Sequence, residues 1–345
     1  MTYIIGEIGQ NHNGSVDIAK LIIDAVSRSI EEKLFGLSLR GMDAVKLTKR
    51  DLNYELSDSQ MKRLYENPNS FGKTYLEHRE FLELNNEEHF EVYKYAKSKG
   101  LDFVETLCAP SCVSMFKYFN PDKLKVASRD LTNLPLLEVL AETKIPIILS
   151  TGMAGQSELD NALDIITKYH SNISILHCVS QYPTHPQNVN LNTISYLKNK
   201  YLNYPIGYSD HTIGISVPVS AVAIGAEIVE KHVTLDRRMK GTDQSGSLGP
   251  DGLLRMVRDI RLMEMSLGKK EIFIDKGVKE AKEKLERSIA INKNIERGEV
   301  INEDDIHLLS PGDGVKWINR DLLIGKKVKS NILKNEIIYL NNIEK

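Results

Sequence analysis

Short apolar segments recur along the chain, and each is followed closely by a polar or charged residue. Eight of them occur, over residues 3–6, 44–45, 103–104, 124–127, 145–149, 173–176, 206–208 and 228–229. Helical periodicity separates most of them, as where Asn85 and Glu88 predict a capping box and Gly100 a helix end. The same periodicity predicts helices over 157–169, 191–201 and 250–267. Strands that alternate with helices indicate a parallel sheet, and eight repeats favour a closed (β/α)₈ TIM barrel.

The pattern changes near residue 268. Residues 269–284 are rich in charge and predict a helical linker. Beyond them, Gly298, Gly312 and Gly314 divide the chain into very short apolar segments. We therefore predict a barrel domain over 1–268 and a small, separate β-rich domain over 285–345.

Composition limits the possible partners and the compartment. The formal net charge of the 345 residues is −2, which argues against nucleic acid or an anionic membrane as the main partner. No apolar stretch approaches the roughly 20 residues that span a bilayer, and the first residues do not predict a signal peptide. Three cysteines, Cys108, Cys112 and Cys178, are too few for a disulfide framework, so we expect a reduced, cytoplasmic setting.

Two histidines follow the last two predicted strands. Active sites of such barrels lie at the carboxyl ends of the strands, where His211 and His232 would meet. Either histidine alone could be structural, but both are flanked by carboxylates, Asp210 and Glu230. A pair of imidazoles leaves coordination positions open, which suits a Lewis-acid metal more than a closed structural site. The spacing admits Mn²⁺, Mg²⁺, Co²⁺ or Zn²⁺.

Two lysines interrupt otherwise apolar predicted strands. Lys46 and Lys125 would be costly to bury unless each met an anion. Hydroxyl groups are predicted around the same rim, at Ser128, Ser150, Ser180 and Ser209. This combination suits a small polyanion that carries phosphate and carboxylate. The alternative is that the lysines form structural ion pairs with Glu7, Glu105 or Asp130.

Nine motifs resemble, in order, those of the sialic acid synthase family: GEIGQNHNG, AVKLT, KVASRDLTN, ILSTGM, HCVSQYPT, VNL, GYSDHT, EKHVTLD and KGTDQSGSL. The resemblance runs over almost the whole chain, and STGM, YSDHT and EKHVTLD are its most specific motifs. The segment SFGKTYLEHREFLEL looks more like the animal-type 9-phosphate synthases than like the bacterial enzymes. Residues 285–345 resemble the type III antifreeze-like (SAF) domain that ends these proteins.

The resemblance implies an activity and an assembly. It implies a divalent metal, Mn²⁺ or Mg²⁺, and a homodimer whose C-terminal domains are exchanged between subunits. The implied reaction condenses phosphoenolpyruvate with an aldehyde sugar of the mannose or N-acetylmannosamine type, and gives a nonulosonic (sialic-acid-like) 2-keto-3-deoxy sugar acid and phosphate. A metal-dependent hydrolase or isomerase on the same barrel is the alternative, because two histidines and several carboxylates alone do not fix the reaction.

The resemblance also implies a role for individual residues. The implied metal ligands are His211 and His232. The implied catalytic residues are Glu7, Lys46 and Glu230. The implied phosphoenolpyruvate contacts are Lys46, Thr106, Lys125, Ser128, Ser150, Ser180 and Ser209. The implied sugar contacts are Asp130, Tyr182 and Asp243.

Several positions depart from the bacterial pattern. Thr48 stands where the family usually has Gln, residues 31–40 look like an insertion, and Asp130 replaces a Glu. Ser310 occupies the place of an Arg that the bacterial enzymes offer to the acetamido group of the sugar. These departures predict an acceptor without that group, in free or phosphorylated form. Lys73 is the predicted contact to a terminal phosphate, unless it is simply a surface lysine.

Overall fold

Eight parallel strands close into a barrel in the computed structural model, which describes residues 1–344. Up to residue 268 the strands are β1 (Tyr3–Gly9), β2 (Ile30–Glu32), β3 (Leu37–Leu39), β4 (Ala44–Lys49), β5 (Asp102–Leu107), β6 (Lys123–Val126), β7 (Ile147–Ser150), β8 (Ile173–Cys178), β9 (Ile206–Asp210) and β10 (Ile228–His232). The barrel order is β1-β10-β9-β8-β7-β6-β5-β4, so its first strand pairs with both its second and its last. The predicted TIM barrel is confirmed.

Helices follow most barrel strands and cover the outside. They are α1 (Val16–Val26), α2 (Asp58–Met61), α3 (Tyr75–Leu82), α4 (Asn86–Ser98), α5 (Leu134–Glu142), α6 (Gln156–Ile166), α7 (Asn192–Lys200), α8 (Ser216–Ala223) and α9 (Pro250–Ser266). The predicted capping box of α4 is present, and Gly100 follows that helix with a φ of 74°. No helix within residues 1–344 combines the length and the apolar character that crossing a bilayer requires.

The predicted insertion after α1 forms a short hairpin. Strands β2 and β3 pair antiparallel, with Ile30 opposite Leu39. Leu34 and Phe35, at its turn, are exposed. The hairpin is outside the barrel sheet, so the insertion leaves the order of the barrel strands intact.

The inside of the barrel changes from apolar to polar along six of its strands. A buried apolar cluster takes one residue from each of six barrel strands: Ile5, Ala44, Val104, Ile148, Leu176 and Ile228. Alternate residues of a strand face the same side, so the next inward residues are Glu7, Lys46, Thr106, Ser150, Cys178 and Glu230. Six of the eight barrel strands, all but β6 and β7, are therefore longer than their apolar segments predict. The polar residues lie within the strands and face the barrel interior rather than following the strand ends.

Residues 269–344 form a second unit with its own core. The predicted helical linker is α-helical only over α10 (Lys279–Leu285), preceded by a 3₁₀ turn at Lys276–Val278. Strands β11 (Ser288–Ile291) and β12 (Ile306–Leu309) pair antiparallel. Isolated bridges such as Ile295 with Ile332 complete this small β-rich domain.

Candidate active site

A cavity of about 260 Å³ opens at the carboxyl ends of the barrel strands. Most of the predicted site residues line it: Glu7, Lys46, Thr106, Lys125, Ser128, Ser150, Ser180, Tyr182, Ser209, His211, Glu230, His232 and Asp243. Two do not. Asp130 is buried beside Arg129, and Lys73 is exposed near the start of α3. The roles predicted for these residues stay predictions, but the structure brings all the others to one place.

Two lysines and two glutamates form a buried ionic network at the bottom of the cavity. The Lys46 Nζ lies 2.6 Å from the Glu7 Oε2 and 3.6 Å from the Glu230 Oε1. The Lys125 Nζ also lies 3.6 Å from the Glu230 Oε1, and the Ser209 hydroxyl donates to that oxygen at 3.1 Å. The ion pair that sequence allowed between Lys46 and Glu7 is therefore present. It coexists with the cavity, so these residues remain available to a ligand.

The two lysines differ in how well their charge is compensated. Burial opposes the charge of Lys46, but Glu230 and Glu7 outweigh it and raise the pKa of Lys46 to about 12. Burial lowers the pKa of Lys125, with Glu230 offsetting only part of the effect and Lys46 adding repulsion. Burial alone would raise the pKa of Glu230, but Lys125 and Lys46 lower it to about 2. Of the two lysines, Lys125 is thus the one whose charge an added anion would stabilise more.

Hydroxyl groups and one backbone amide surround the open side of Lys125. The Gly152 N–H donates to the Ser128 Oγ at 3.0 Å. A Cβ on Gly152 would lie 2.4 Å from the Ser180 Oγ, 2.8 Å from the Ser128 Oγ and 2.8 Å from the Cys178 Sγ. Only glycine leaves room for this cluster. The buried Ser150 Oγ has no hydrogen-bond partner within residues 1–344, as a group awaiting a ligand would.

The two histidines lie side by side at the ends of β9 and β10. The ring centroids of His211 and His232 are 5.7 Å apart, and the Tyr182 ring packs 3.9 Å from that of His211. The His211 Nδ1 lies 3.0 Å from the Val179 carbonyl oxygen, which can only accept, so Nδ1 carries the proton and Nε2 keeps its lone pair. Burial and the neighbouring His232 lower the pKa of His211 to about 4. Neutral imidazole is the form that binds metal.

A buried ion pair lies directly behind the histidines. Lys231 donates to Asp210 and to the Thr212 carbonyl, and both charged side chains are fully buried. Asp210 also accepts from the Tyr208 hydroxyl at 2.9 Å and the Thr212 amide at 3.1 Å. Because Asp210 precedes His211 and Lys231 precedes His232, this network fixes the backbone that carries both imidazoles.

The donor set fits a metal held by two imidazoles. The His232 Nδ1 is buried without a partner in the described chain, and His211 is oriented by a backbone carbonyl, as metal-binding histidines usually are. Residues 1–344 contain no group of three or more His, Cys, Asp or Glu side chains arranged around one point. Two protein ligands would leave the remaining coordination positions to water or substrate, which is the arrangement of a catalytic metal.

Three arginines that the sequence analysis did not assign to the site also line the cavity. Arg50 follows β4 directly, Arg79 lies on α3, and Arg129 is next to Ser128. The signal for Arg50 and Arg129 was their position at strand ends beside predicted ligands. Arg79 could be found only from the way α3 packs against the barrel mouth, where its side chain contacts Gln10.

The three cysteines are buried, free thiols. Burial raises the pKa of Cys108 and Cys178, and it raises that of Cys112 to about 12. Cys112 lies in the 3₁₀ helix Pro110–Lys117, which begins just after Cys108. None of the three therefore has the character of a reactive thiolate.

Comparison with known families decides the classification. Residues 38–272, more than half of the chain, match the family model described as the NeuB family. The chain belongs to the NeuB family. Residues 286–344 match the SAF domain, so the resemblance found in the sequence motifs is confirmed for both domains.

Relatives cover nearly the full length of this NeuB-family chain. The N-acetylneuraminate-9-phosphate synthase of Homo sapiens is 33% identical and covers 97% of this chain and 91% of its own. The N,N'-diacetyllegionaminic acid synthase of Legionella pneumophila is 31% identical, and the match covers 99% of this chain and 94% of that protein. The crystal structure of an N-acetylneuraminic acid synthetase from Leptospira borgpetersenii matches with a TM-score of 0.69 at 31% identity, over 81% of this chain and 90% of that one. The chain is thus an enzyme of the synthase type.

Proposed function

We propose that this enzyme condenses phosphoenolpyruvate with the aldehyde form of a mannose- or N-acetylmannosamine-type sugar. The products would be phosphate and a nonulosonic 2-keto-3-deoxy sugar acid. One observation carries the proposal. A single cavity holds buried lysines with a hydroxyl cradle on one side and a pair of open imidazoles on the other, so it offers an anion site and an aldehyde site together. The names of the relatives support the same class of reaction.

Phosphoenolpyruvate would bind against the lysines and hydroxyls. Lys46 and Lys125 provide charge, and the serine hydroxyls and Thr106 provide neutral donors, some on the strands and some in the loops that follow them. An anion near Lys125 would offset the cost of burying that ammonium, which Glu230 compensates only in part. Fixing the anion in this way orients its carbon 3 for attack.

The sugar would bind at the histidine side of the cavity. His211 and His232 would hold a divalent metal, with Mn²⁺ or Mg²⁺ as the proposed ions, and Tyr182 and Asp243 line the cavity beside them. Such a metal supplies Lewis-acid polarisation of an aldehyde oxygen. Tyr182 packs against His211 and is 60% exposed, so it can contact both the imidazole and a sugar that enters from solvent. Asp130 is proposed as a further sugar contact.

The reaction needs one carbon–carbon bond and one water. Carbon 3 of phosphoenolpyruvate attacks the aldehyde carbon, and water adds to carbon 2, which has become electron-deficient. The resulting hemiketal phosphate loses phosphate with its bridging oxygen and leaves a ketone at carbon 2. Glu7 is the proposed group that orients this water and takes its proton. Lys46 holds the Glu7 carboxylate in place at 2.6 Å, and Glu230 holds both lysines.

The test is release of phosphate from phosphoenolpyruvate in the presence of Mn²⁺, across a panel of aldoses. We expect release only when a suitable aldose is present, in a one-to-one ratio with a new 2-keto acid. Release without any aldose would favour a hydrolase instead. Conversion of an aldose without use of phosphoenolpyruvate would favour an isomerase.

We also propose that the enzyme acts in the cytoplasm as a homodimer with exchanged C-terminal domains, as the family resemblance implies. The measurement is the mass of the full chain in solution, compared with that of a chain that ends at Gly268. A monomeric full-length protein would contradict the assembly while leaving the proposed reaction intact.

A further inference from the structure

The first and last strands of the barrel are neighbours, and the connections that follow them both reach the cavity mouth. β1 pairs with β10 in parallel, so the two strands end on the same side of the barrel. The turn after β1 contributes Gln10 to the cavity lining, and the segment 239–247 after β10 contributes Thr242 and Asp243. The way these two connections are held together therefore sets part of the shape of the mouth.

A buried glutamine joins the two connections. Gln244 is 0% exposed, and its Nε2 donates to the Asn11 carbonyl at 3.1 Å and to the Asn13 Oδ1 at 3.2 Å. Its Oε1 accepts from the Thr234 hydroxyl. The Asn11 carbonyl can only accept, so this orientation of the Gln244 amide is the one that satisfies both neighbours. One side chain thus links the turn after β1 to the chain that follows β10.

Asn11 and Ser247 complete the network around Gln244. The Asn11 Nδ2 donates to the Val233 carbonyl and to the Ser247 Oγ, each at 2.8 Å. The Ser247 hydroxyl donates in turn to the Asp243 carbonyl at 2.6 Å. Asn11 and Ser247 are each 1% exposed. A buried polar network of this kind holds one geometry, because a shift would leave buried donors and acceptors unpaired.

The turn after β1 is the fixed side of this link. Its backbone is closed by three successive hydrogen bonds, from Asn11 to Ile8, from Asn13 to Gln10 and from Ser15 to His12. Residues 239–243, in contrast, form bends outside any strand or helix. The network therefore controls the position of the 239–247 segment, and above all that of Asp243, the residue next to Gln244.

We propose that Gln244 is a positioning residue that holds the Asp243 carboxylate toward the sugar substrate. The inference rests on the proposed function, in which Asp243 contacts the sugar. Gln244 is not among the residues that line the cavity, so it acts through its neighbour. Loss of its amide should weaken the sugar site and spare the phosphoenolpyruvate site, because Lys46 and Lys125 are held by barrel strands.

Gln244→Met keeps the length of the side chain and removes the amide. It should raise both KM and Kd for the sugar about tenfold or more, with kcat and the KM for phosphoenolpyruvate within about twofold of wild type. Tm should also fall, because the Asn11 carbonyl and the Thr234 hydroxyl lose a partner. Tyr3→Phe is the matched control for lost stability. It removes the 2.8 Å hydrogen bond to Asp102 at the opposite end of β1, and should lower Tm without changing KM.

Two further variants separate positioning from general damage. In Gln244→Glu, a protonated carboxyl can donate to the Asn11 carbonyl, whereas an ionised one can only accept. Its KM for the sugar should therefore be near that of wild type at low pH and approach that of Gln244→Met as pH rises. Because Gln244 acts through Asp243, Gln244→Met combined with Asp243→Asn should bind the sugar no worse than Asp243→Asn alone.

The measurements are steady-state phosphate release and calorimetry with Mn²⁺, using the best acceptor among mannose, N-acetylmannosamine and their 6-phosphates. A folded Gln244→Met variant with the KM and Kd of wild type for that sugar would overturn the inference. Additive effects of Gln244→Met and Asp243→Asn would also overturn it, as would equal losses for both substrates. If Gln244→Met does not fold, Gln244→Glu decides, and a KM that follows wild type at every pH overturns the inference.

Turnover separates this inference from the proposed function. If wild type binds the sugar but never consumes phosphoenolpyruvate, the condensation fails, and the comparison of Kd values still decides the role of Gln244. If condensation proceeds and Gln244→Met shares the KM of wild type, the condensation stands and the positioning role fails.

Discussion

The substitution Gly152→Ala adds one methyl group at the point where the cavity has no space for it. That methyl would lie 2.4 Å from the Ser180 Oγ and 2.8 Å from the Ser128 Oγ. Both hydroxyls must rotate or shift, and both are proposed contacts of phosphoenolpyruvate. Each neutral hydrogen bond contributes about 0.5–1.5 kcal/mol. Loss of two therefore predicts a KM for phosphoenolpyruvate raised roughly 5- to 150-fold.

The assay is phosphate release at varied phosphoenolpyruvate with the sugar at saturation, together with Tm. Overpacking also costs about 1–3 kcal/mol of stability, so a moderate fall in Tm is expected. Gly249→Ala is the matched control, because a Cβ on Gly249 meets nothing within 4 Å. Ser180→Ala removes one of the same hydroxyls without crowding, and should reproduce part of the KM effect. A folded Gly152→Ala variant whose KM for phosphoenolpyruvate stays within about twofold of wild type would refute the proposed contacts of Ser128 and Ser180 with that substrate.

Three further predictions concern charge and protonation. Lys46→Met and Lys125→Met should each weaken phosphoenolpyruvate binding roughly 10- to 150-fold in calorimetry, because each removes a charge-assisted contact; an effect on the sugar alone would reassign them. His211→Ala and His232→Ala should each abolish turnover and weaken Mn²⁺ binding in calorimetry, and the double variant should be no worse than either, because ligands of one ion act as a unit; near-normal activity of either would contradict this. Burial and repulsion from another histidine lower the pKa of His12 to about 3, so the unfolded chain binds the extra proton first and the free energy of unfolding should fall as pH drops from about 6.5 toward 3. His12→Asn should make that slope shallower in denaturant titrations without abolishing it, because the pKa values of His78 and His211 are also lowered, to about 4. An unchanged slope would exclude His12 as one of its sources.

The barrel was predictable because its strands leave a linear pattern. Every one of the eight apolar segments corresponds to a barrel strand. The lengths of six strands were underestimated because an apolar segment stops at the first inward polar residue, such as Glu7 or Lys46, whereas the hydrogen-bonded strand continues. Polarity at the top of the barrel interior reflects the site, and it does not mark the end of the strand.

The site was predictable where residues lie on strands or immediately after them. His211, His232, Lys46 and Lys125 fall in the cavity because strand alternation and parallel order determine where they point. Side chains in loops do not alternate in this regular way, so the sequence does not predict which of them face the cavity.

The turn after β6 illustrates the difference. Ser128–Asp130 is a 3₁₀ turn in which Arg129, rather than Asp130, lines the cavity. In the loop before α3, the Lys73 amide donates to Glu77, which also caps the helix, and the Lys73 side chain is exposed. Such orientations depend on tertiary packing and on helix capping, so the position of Arg79 at the cavity could not be found from spacing alone.

The origin of the oxygen in the released phosphate tests the central claim most directly. The reaction is run in ¹⁸O-labelled water with Mn²⁺, phosphoenolpyruvate and the best aldose, and the phosphate is analysed by mass spectrometry. In the proposed condensation, water attacks carbon 2 and the carbon–oxygen bond breaks, so the phosphate should contain no ¹⁸O and should equal the 2-keto acid in amount. Phosphate that carries one ¹⁸O atom would show attack at phosphorus, and would contradict the condensation in favour of a hydrolase.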